Sequence, residues 1–158
     1  MSEPPVVRLL TGACQGCTYE LLREIGAGTF GKVHRARRIP QPAANTEQAA
    51  TYVAIKFIPL YGGARYLEMI KREVTLSNQL NHPHVLRIHD YVVDPDFRFD
   101  PPLPAPPSMG AIGLVMDLAK CSLDPYINSC RNMGEDAIRW LFQQIVIAVD
   151  HCHGKLSV

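Results

Sequence analysis

The sequence predicts an α+β fold in which an antiparallel sheet and one helix come first and two further helices follow. Three observations carry this. Residues 18–37 read as two strands joined by a glycine-rich turn, and Tyr52–Ile58 alternates with a period of two. Residues 64–80 and 135–153 instead repeat their apolar positions at helical spacing. At 158 residues the chain is long enough to bury one domain core.

Residues 1–17, with Pro4 and Pro5 and no sustained period, read as a flexible arm. Tyr19, Leu21 and Ile25 alternate with charged residues and suggest a strand entering Gly26, Gly28 and Gly31. Three glycines at that spacing arise by chance in roughly 5% of chains this long, so their context decides their meaning. Lys32–Arg37 is too poor in apolar periodicity for a helix and suits a returning strand. The glycines therefore bridge a hairpin, which argues against a dinucleotide-binding fold, where a helix must follow them. Residues 39–50 are polar and rich in Pro and Ala, as in a surface loop.

In Tyr52–Ile58, Ala54 and Lys56 share one face while Val53, Ile55 and Phe57 share the other. A lysine in so apolar a strand is costly unless it snorkels or meets an anion. Glu73, beside the Leu67, Ile70, Val74 and Leu80 stripe of the first helix, is an anion able to point inward. Asn81, His82 and Pro83 end that helix, and Val85–Val93 reads as a strand. Residues 94–110 hold six prolines between 95 and 107 and read as an exposed hairpin tip. Ala111–Leu118 returns to strand with Leu114 and Met116 on one face. Ser122 is a candidate N-cap ahead of Leu123-Asp124-Pro125. Glu135–His153 carries Ile138, Leu141, Phe142, Ile145, Val149 and Cys152 on one face, with Trp140, Val146 and Ile147 widening it.

Sixteen basic and fifteen acidic residues nearly cancel, so charge points to neither nucleic acid nor a membrane surface. The first ten residues lack a signal-peptide pattern and no apolar run has membrane length, so the expectation is an intracellular soluble protein, cytoplasmic or nuclear. Cysteines at 14, 17, 121, 130 and 152 are odd in number and form no disulfide framework, which fits a reducing compartment. Cys14 and Cys17 make a Cys-x-x-Cys whose nearest further ligands, His151 to His153, are over a hundred residues away, so no metal site is expected.

From about Tyr19 to the last residue the sequence resembles the protein kinase family. Gly26, Gly28, Gly31 and Val33, followed by Ala36, match its Gly-rich loop, and Val53-Ala54-Ile55-Lys56 matches its third-strand motif. Lys71-Arg72-Glu73 with Leu80 to Val85 is similar to the family's αC helix and following turn. Leu114 to Ala119 resembles the strand entering the hinge, and Gln143 to His153 resembles its αE helix. The resemblance implies a five-stranded antiparallel N-lobe with αC over residues 18–119, then the αD and αE helices of an incomplete C-lobe over 120–158. It implies a Ser/Thr-type kinase, close in tone to the AMP-activated and cyclin-dependent branches, acting through ATP and Mg²⁺ on protein substrates.

Carried across, Lys56 holds the ATP phosphates and pairs with Glu73. Gly26 to Lys32, including Ala27, Thr29 and Phe30, form the phosphate flap. Ile25, Val33, Ala54 and Leu123 sandwich the adenine, Met116 is the gatekeeper, and the backbone of Asp117, Leu118 and Ala119 holds the adenine edge. Ser77 departs from the family, which places a large apolar residue four positions after that glutamate; its hydroxyl is expected to cost about 1 to 3 kcal/mol of packing. The sequence ends where family members continue into His-Arg-Asp, and it lacks Asp-Phe-Gly. The expectation is an ATP-binding portion that is inactive by itself, its αE face short of partners. The alternative is a non-catalytic kinase-like module, a pseudokinase or scaffold that binds ATP or protein.

Overall fold

The computed structural model describes residues 8–14, 16–28, 31–39, 51–60, 64–99, 110–130 and 133–156. Its elements are β1 (Arg8–Thr11), β2 (Thr18–Gly28), β3 (Gly31–Ile39), β4 (Thr51–Pro59), α1 (Ala64–Gln79), β5 (Ile88–Asp94), β6 (Ala111–Asp117), α2 (Leu123–Ser129) and α3 (Glu135–Leu156). The strands form one sheet of six in the order β1-β2-β3-β4-β6-β5, every neighbouring pair antiparallel.

β4 is central, and its alternation assigns the two faces. Val53, Ile55 and Phe57 enter a core with Tyr19, Ala36, Val92 and Val115. On the opposite face Ile58 joins Ile112, Leu114 and Tyr91 beneath Ile70 and Val74 of α1. α1 stands on the sheet because Ile70 and Val74 lie four apart and form one stripe.

Six strands rather than five reflect β1, which lies inside the segment expected to be a loose arm. Four residues are too few to show a period, yet Leu10 is buried and Leu9 exposed, as in a strand with one face inward. β1 also brings the two ends of the sheet together. Ala13 N–H donates to the Tyr91 carbonyl at 2.9 Å, Cys14 N–H donates to Asp90 Oδ1 at 2.8 Å, and Arg8 is ion-paired with Asp94. The sheet thus curls so that both edges are covered. Asp90 is fully buried and also accepts from the Tyr19 hydroxyl at 3.1 Å and the Tyr91 N–H at 2.8 Å. Burial and the adjacent Asp90 carboxylate hold the Tyr19 hydroxyl well above its usual range.

Three other expectations are corrected. The segment after Asp94 is not simply an exposed tip: Phe97 is buried, its ring stacked on Phe57 at 4.2 Å between centroids. Residues 100–109 of that insertion, and 40–50 of the expected 39–50 loop, lie outside the described residues; Ile39 itself ends β3. β5 begins at Ile88 rather than Val85, because Val85 N–H turns back to the His82 carbonyl at 3.1 Å. Finally, the Ser77 hydroxyl accepts the Ile88 N–H at 3.2 Å, tying α1 to the start of β5 with a hydrogen bond in place of apolar packing.

Two outcomes are expected from this core. A Cβ on Gly12 would lie 2.0 Å from Asp90 Oδ2, so Gly12→Ala lowers stability by about 1 to 3 kcal/mol, read as a drop in the urea midpoint. His34 sits edge-on to Phe57 and Phe97 at 5.5 and 5.8 Å, and burial lowers its imidazole below the ordinary value, Lys32 and Arg8 assisting against Glu24. The unfolded chain then binds the proton more readily, so stability contributed by His34 is present above about pH 6.5 and is lost as pH falls below it. Thermal melts of His34→Leu should show a shallower loss below that pH than the parent chain.

Candidate functional site

The site forms on the α1 side of the sheet, where register aligns residues far apart in sequence. Gly26 pairs with Val33, Val33 with Lys56, and Lys56 with Leu114, so one transverse row runs from the glycine hairpin through the lysine. The neighbouring row pairs Arg35 with Ala54 and Ala54 with Met116. Cross-strand partners share a face, so Val33, Ala54, Lys56 and Met116 look to the same side. Ala54 is buried, while Val33, Lys56 and Met116 are half-buried. An apolar floor with the Lys56 and Arg35 cations along it suits a ligand with a flat apolar part and an anionic part.

Two register slips in β2, between Leu21 and Glu24 and between Glu24 and Gly26, turn the end of the strand. Without them Tyr19, Leu21 and Ile25 would share a face. Instead Leu21 packs against the core, Ile25 is 42% exposed, and Gly26 joins the lysine row. Gly28 pairs directly with Gly31. The glycines are not equivalent. Gly31 has a φ of +141°, and a Cβ there would lie 1.9 Å from the Phe57 carbonyl oxygen, so it serves the close approach of β3 to β4. Beside Gly28 nothing lies within 4 Å of the Cβ position, and beside Gly26 the nearest atom is the Val33 Cβ at 3.9 Å. These two leave open backbone next to Val33 and Lys56.

Lys32, expected in the flap, is ion-paired with Glu24 at 3.1 Å across the hairpin, while Ala27 is exposed at its end. Thr29 and Phe30 lie outside the described residues. Glu73 is exposed. It is about 60° round the helix from Ile70, at the edge of the stripe that meets the sheet. At the end of β6 the Asp117 N–H reaches the Arg87 carbonyl at 3.4 Å, and its carboxylate lies 2.6 Å from His89 Nε2. The last residue of β6 is thereby fixed against β5. Leu118 is half-buried, Ala119 exposed, and Leu123 is 41% exposed at the start of α2.

Two further contacts were not anticipated. The Arg35 guanidinium lies 3.9 Å from the centre of the Tyr52 ring, covering the entrance end of β4. Between α1 and α3, the His82 ring stacks on that of His151 at 4.8 Å between centroids. Both need contacts between strands or helices that a period cannot reveal. Elsewhere the α3 side chains are open: Ile138, Trp140, Phe142, Ile145, Val146, Ile147 and Val149 are each 46 to 63% exposed. Among the described residues no helix is long and apolar enough to cross a membrane.

A protein kinase domain family model matches residues 19–158. The chain is 34% identical over 140 residues to CBL-interacting protein kinase 20 of Oryza sativa subsp. japonica, a match covering 87% of the chain and 26% of that protein. It is 33% identical over 138 residues to NUAK family SNF1-like kinase 2 of Homo sapiens, covering 85% and 18% respectively. It is 31% identical over 137 residues to Serine/threonine-protein kinase SAPK7 of Oryza sativa subsp. japonica, covering 85% and 31%. The chain therefore spans less than a third of the length of each of these relatives.

The glycine geometry yields a paired stability test. Gly31→Ala should lower the unfolding free energy by about 2 kcal/mol or more, since both φ and the Phe57 carbonyl oppose a Cβ. Gly28→Ala should stay within about 0.5 kcal/mol of the parent, as surface changes usually do. Denaturant midpoints of the two variants check the contrast.

Proposed function

Because the chain belongs to the protein kinase family, we propose that it is the ATP-binding portion of a Ser/Thr-type kinase domain. Kinases of this family use ATP and Mg²⁺ to phosphorylate protein hydroxyls. The observation that carries the reading is the row Gly26–Val33–Lys56, with open backbone at the glycines and a cation on the same face. Backbone N–H groups approach phosphate oxygens only where no Cβ intervenes, and Gly26 and Gly28 meet that condition.

In this reading the adenine lies between Val33 and Ala54, with Ile25 and Leu123 closing its edges and Met116 behind it. The Asp117 N–H is already committed to Arg87, so the edge contacts come from the Asp117 carbonyl and the backbone of Leu118 and Ala119. The flap of Gly26 to Lys32, through Ala27, Thr29 and Phe30, covers the phosphates, and Lys56 meets them. Glu73 turns in from its exposed position to pair with Lys56 when the phosphates are bound. A rotation of α1 by about 60° brings it over the Ile70 line, and the Ile88–Ser77 hydrogen bond that ties α1 to β5 must adjust with it.

The SAPK7 name supports the Ser/Thr assignment. The 158 residues contain neither His-Arg-Asp nor Asp-Phe-Gly, the segments that supply the family's base and a metal-binding aspartate. The chain's own residues thus fit ATP and do not supply the family's Mg²⁺ ligand set. Phosphoryl transfer depends on positioning and charge neutralisation together, so these residues alone bind nucleotide without transferring phosphate.

Titration of ATP against the parent chain and Lys56→Ala tests the site. The variant should bind about 10-fold more weakly, or about 1.4 kcal/mol, with an unchanged melting midpoint as control for folding. Glu73→Gln should lose less, because its partner retains the phosphates. Equal ATP affinity in parent and Lys56→Ala would contradict the proposed function.

A further inference from the structure

Cys14 and Cys17 flank the turn between β1 and β2. Thr11 pairs with Thr18, and the Gly12 N–H donates to the Cys17 carbonyl at 2.8 Å, tying together the ends of the segment that carries both cysteines. Gly16, with a φ of +59°, reverses the chain inside it. Three residue steps limit the Cα separation of the two cysteines to about 10 Å when extended. A disulfide spans roughly 4.4 to 6.8 Å between Cα atoms, which lies within that limit. Cys14 is exposed and Cys17 is buried.

The buried sulfur has a cationic neighbour. Arg38 of β3 directs both Nε and one terminal nitrogen at Cys17 Sγ, each at 3.3 Å. Both nitrogens donate to the sulfur and hold it in place beside the turn. Cys14 is differently placed: burial and the Asp90 carboxylate raise its thiol above the ordinary value. A solvent-exposed thiol thus shares the β1–β2 turn with a buried sulfur held by a guanidinium.

The geometry points to a reversible dithiol–disulfide site at Cys14 and Cys17, oxidised by a low-molecular-weight disulfide and independent of the nucleotide reading. In the first step the Cys14 thiolate attacks one sulfur of oxidised glutathione. The Cys14–glutathione bond forms, the glutathione disulfide bond breaks, and the expelled thiolate takes the proton that Cys14 gave up. Cys17 then attacks the Cys14 sulfur, forming the intrachain bond and expelling the second glutathione thiolate, which takes the Cys17 proton. Two electrons pass from the cysteine pair to oxidised glutathione, which leaves as two reduced molecules. A disulfide here staples the β1–β2 turn whose Cys14 amide holds Asp90.

The test equilibrates the 158-residue chain in glutathione buffers of rising oxidised share, followed by alkylation and peptide mass mapping. The expected product is a peptide containing both cysteines that resists alkylation and is two hydrogens lighter, while Cys121, also exposed, follows the buffer separately. Cys17→Ser should accumulate a glutathione adduct on Cys14, and Cys14→Ser should leave Cys17 reduced. Arg38→Met removes support for the reduced form, so the disulfide should appear at roughly 3- to 10-fold less oxidised glutathione. Two separate glutathione adducts at Cys14 and Cys17, or two alkylated thiols under buffer that oxidises Cys121, would overturn the proposal. An unmoved midpoint in folded Arg38→Met would overturn the role of Arg38. Peptide mapping of the unsubstituted chain decides the disulfide itself even if a variant fails to fold.

Discussion

Everything in the sheet depends on how β4 is buried. It is flanked on both sides by strands and covered on both faces by side chains, yet it carries Lys56 in its middle. Desolvating an ammonium is expensive, and the structure limits the expense by keeping Lys56 half-buried at the side of α1. The same alternation that presents Lys56 to one side sends Ile55 and Phe57 into the core. A one-residue slip of β4 would exchange these sets, so the position of the cation and the stability of the sheet are enforced together.

That coupling explains the division of labour among the glycines. Gly31 lets β3 approach β4 at Phe57, which holds the register that aligns Val33 with Lys56. Gly26 and Gly28 are under no such packing demand and leave backbone accessible, Gly26 on the lysine row and Gly28 at the end of the hairpin beside it. The far edge of the sheet answers to a different constraint. Asp90 is buried in the middle of β5, and its three hydrogen bonds from Tyr19, Cys14 and Tyr91 hold the turn after β1 against that strand. α3 is held less completely: its ring contact through His151 to His82 leaves a broad apolar face open. At about 1.5 to 3 kcal/mol for each large side chain fully buried, seven side chains about half exposed represent on the order of 5 to 10 kcal/mol of burial not realised within these residues.

The sequence revealed whatever depended on local period or on fixed spacing. β4, α1, β6 and α3 followed from alternation and helical stripes, and the kinase family followed from Val53 to Lys56 read with the glycines. β1 was missed because four residues carry no measurable period, and its strand character comes from pairing with β2. Phe97 was misread because prolines dominate its segment, whereas its burial depends on Phe57 being opposite. The exposure of Glu73 was hidden for a related reason: a helical wheel places it at the stripe's edge, and only the packing of α1 decides which way the edge turns. Ser77 looked like lost packing because a hydroxyl reads as a defect in an apolar stripe until the Ile88 amide is seen beside it.

The central claim is that the face carrying Gly26, Val33, Ala54 and Lys56 takes up a nucleotide. Amide hydrogen exchange of the chain with and without ATP tests it most directly, because each peptide reports separately. Protection confined to residues 25–33, 53–56 and 117–119 is the result predicted. Unchanged exchange across those three segments at saturating ATP, or protection only on the opposite face around Phe97, would contradict it.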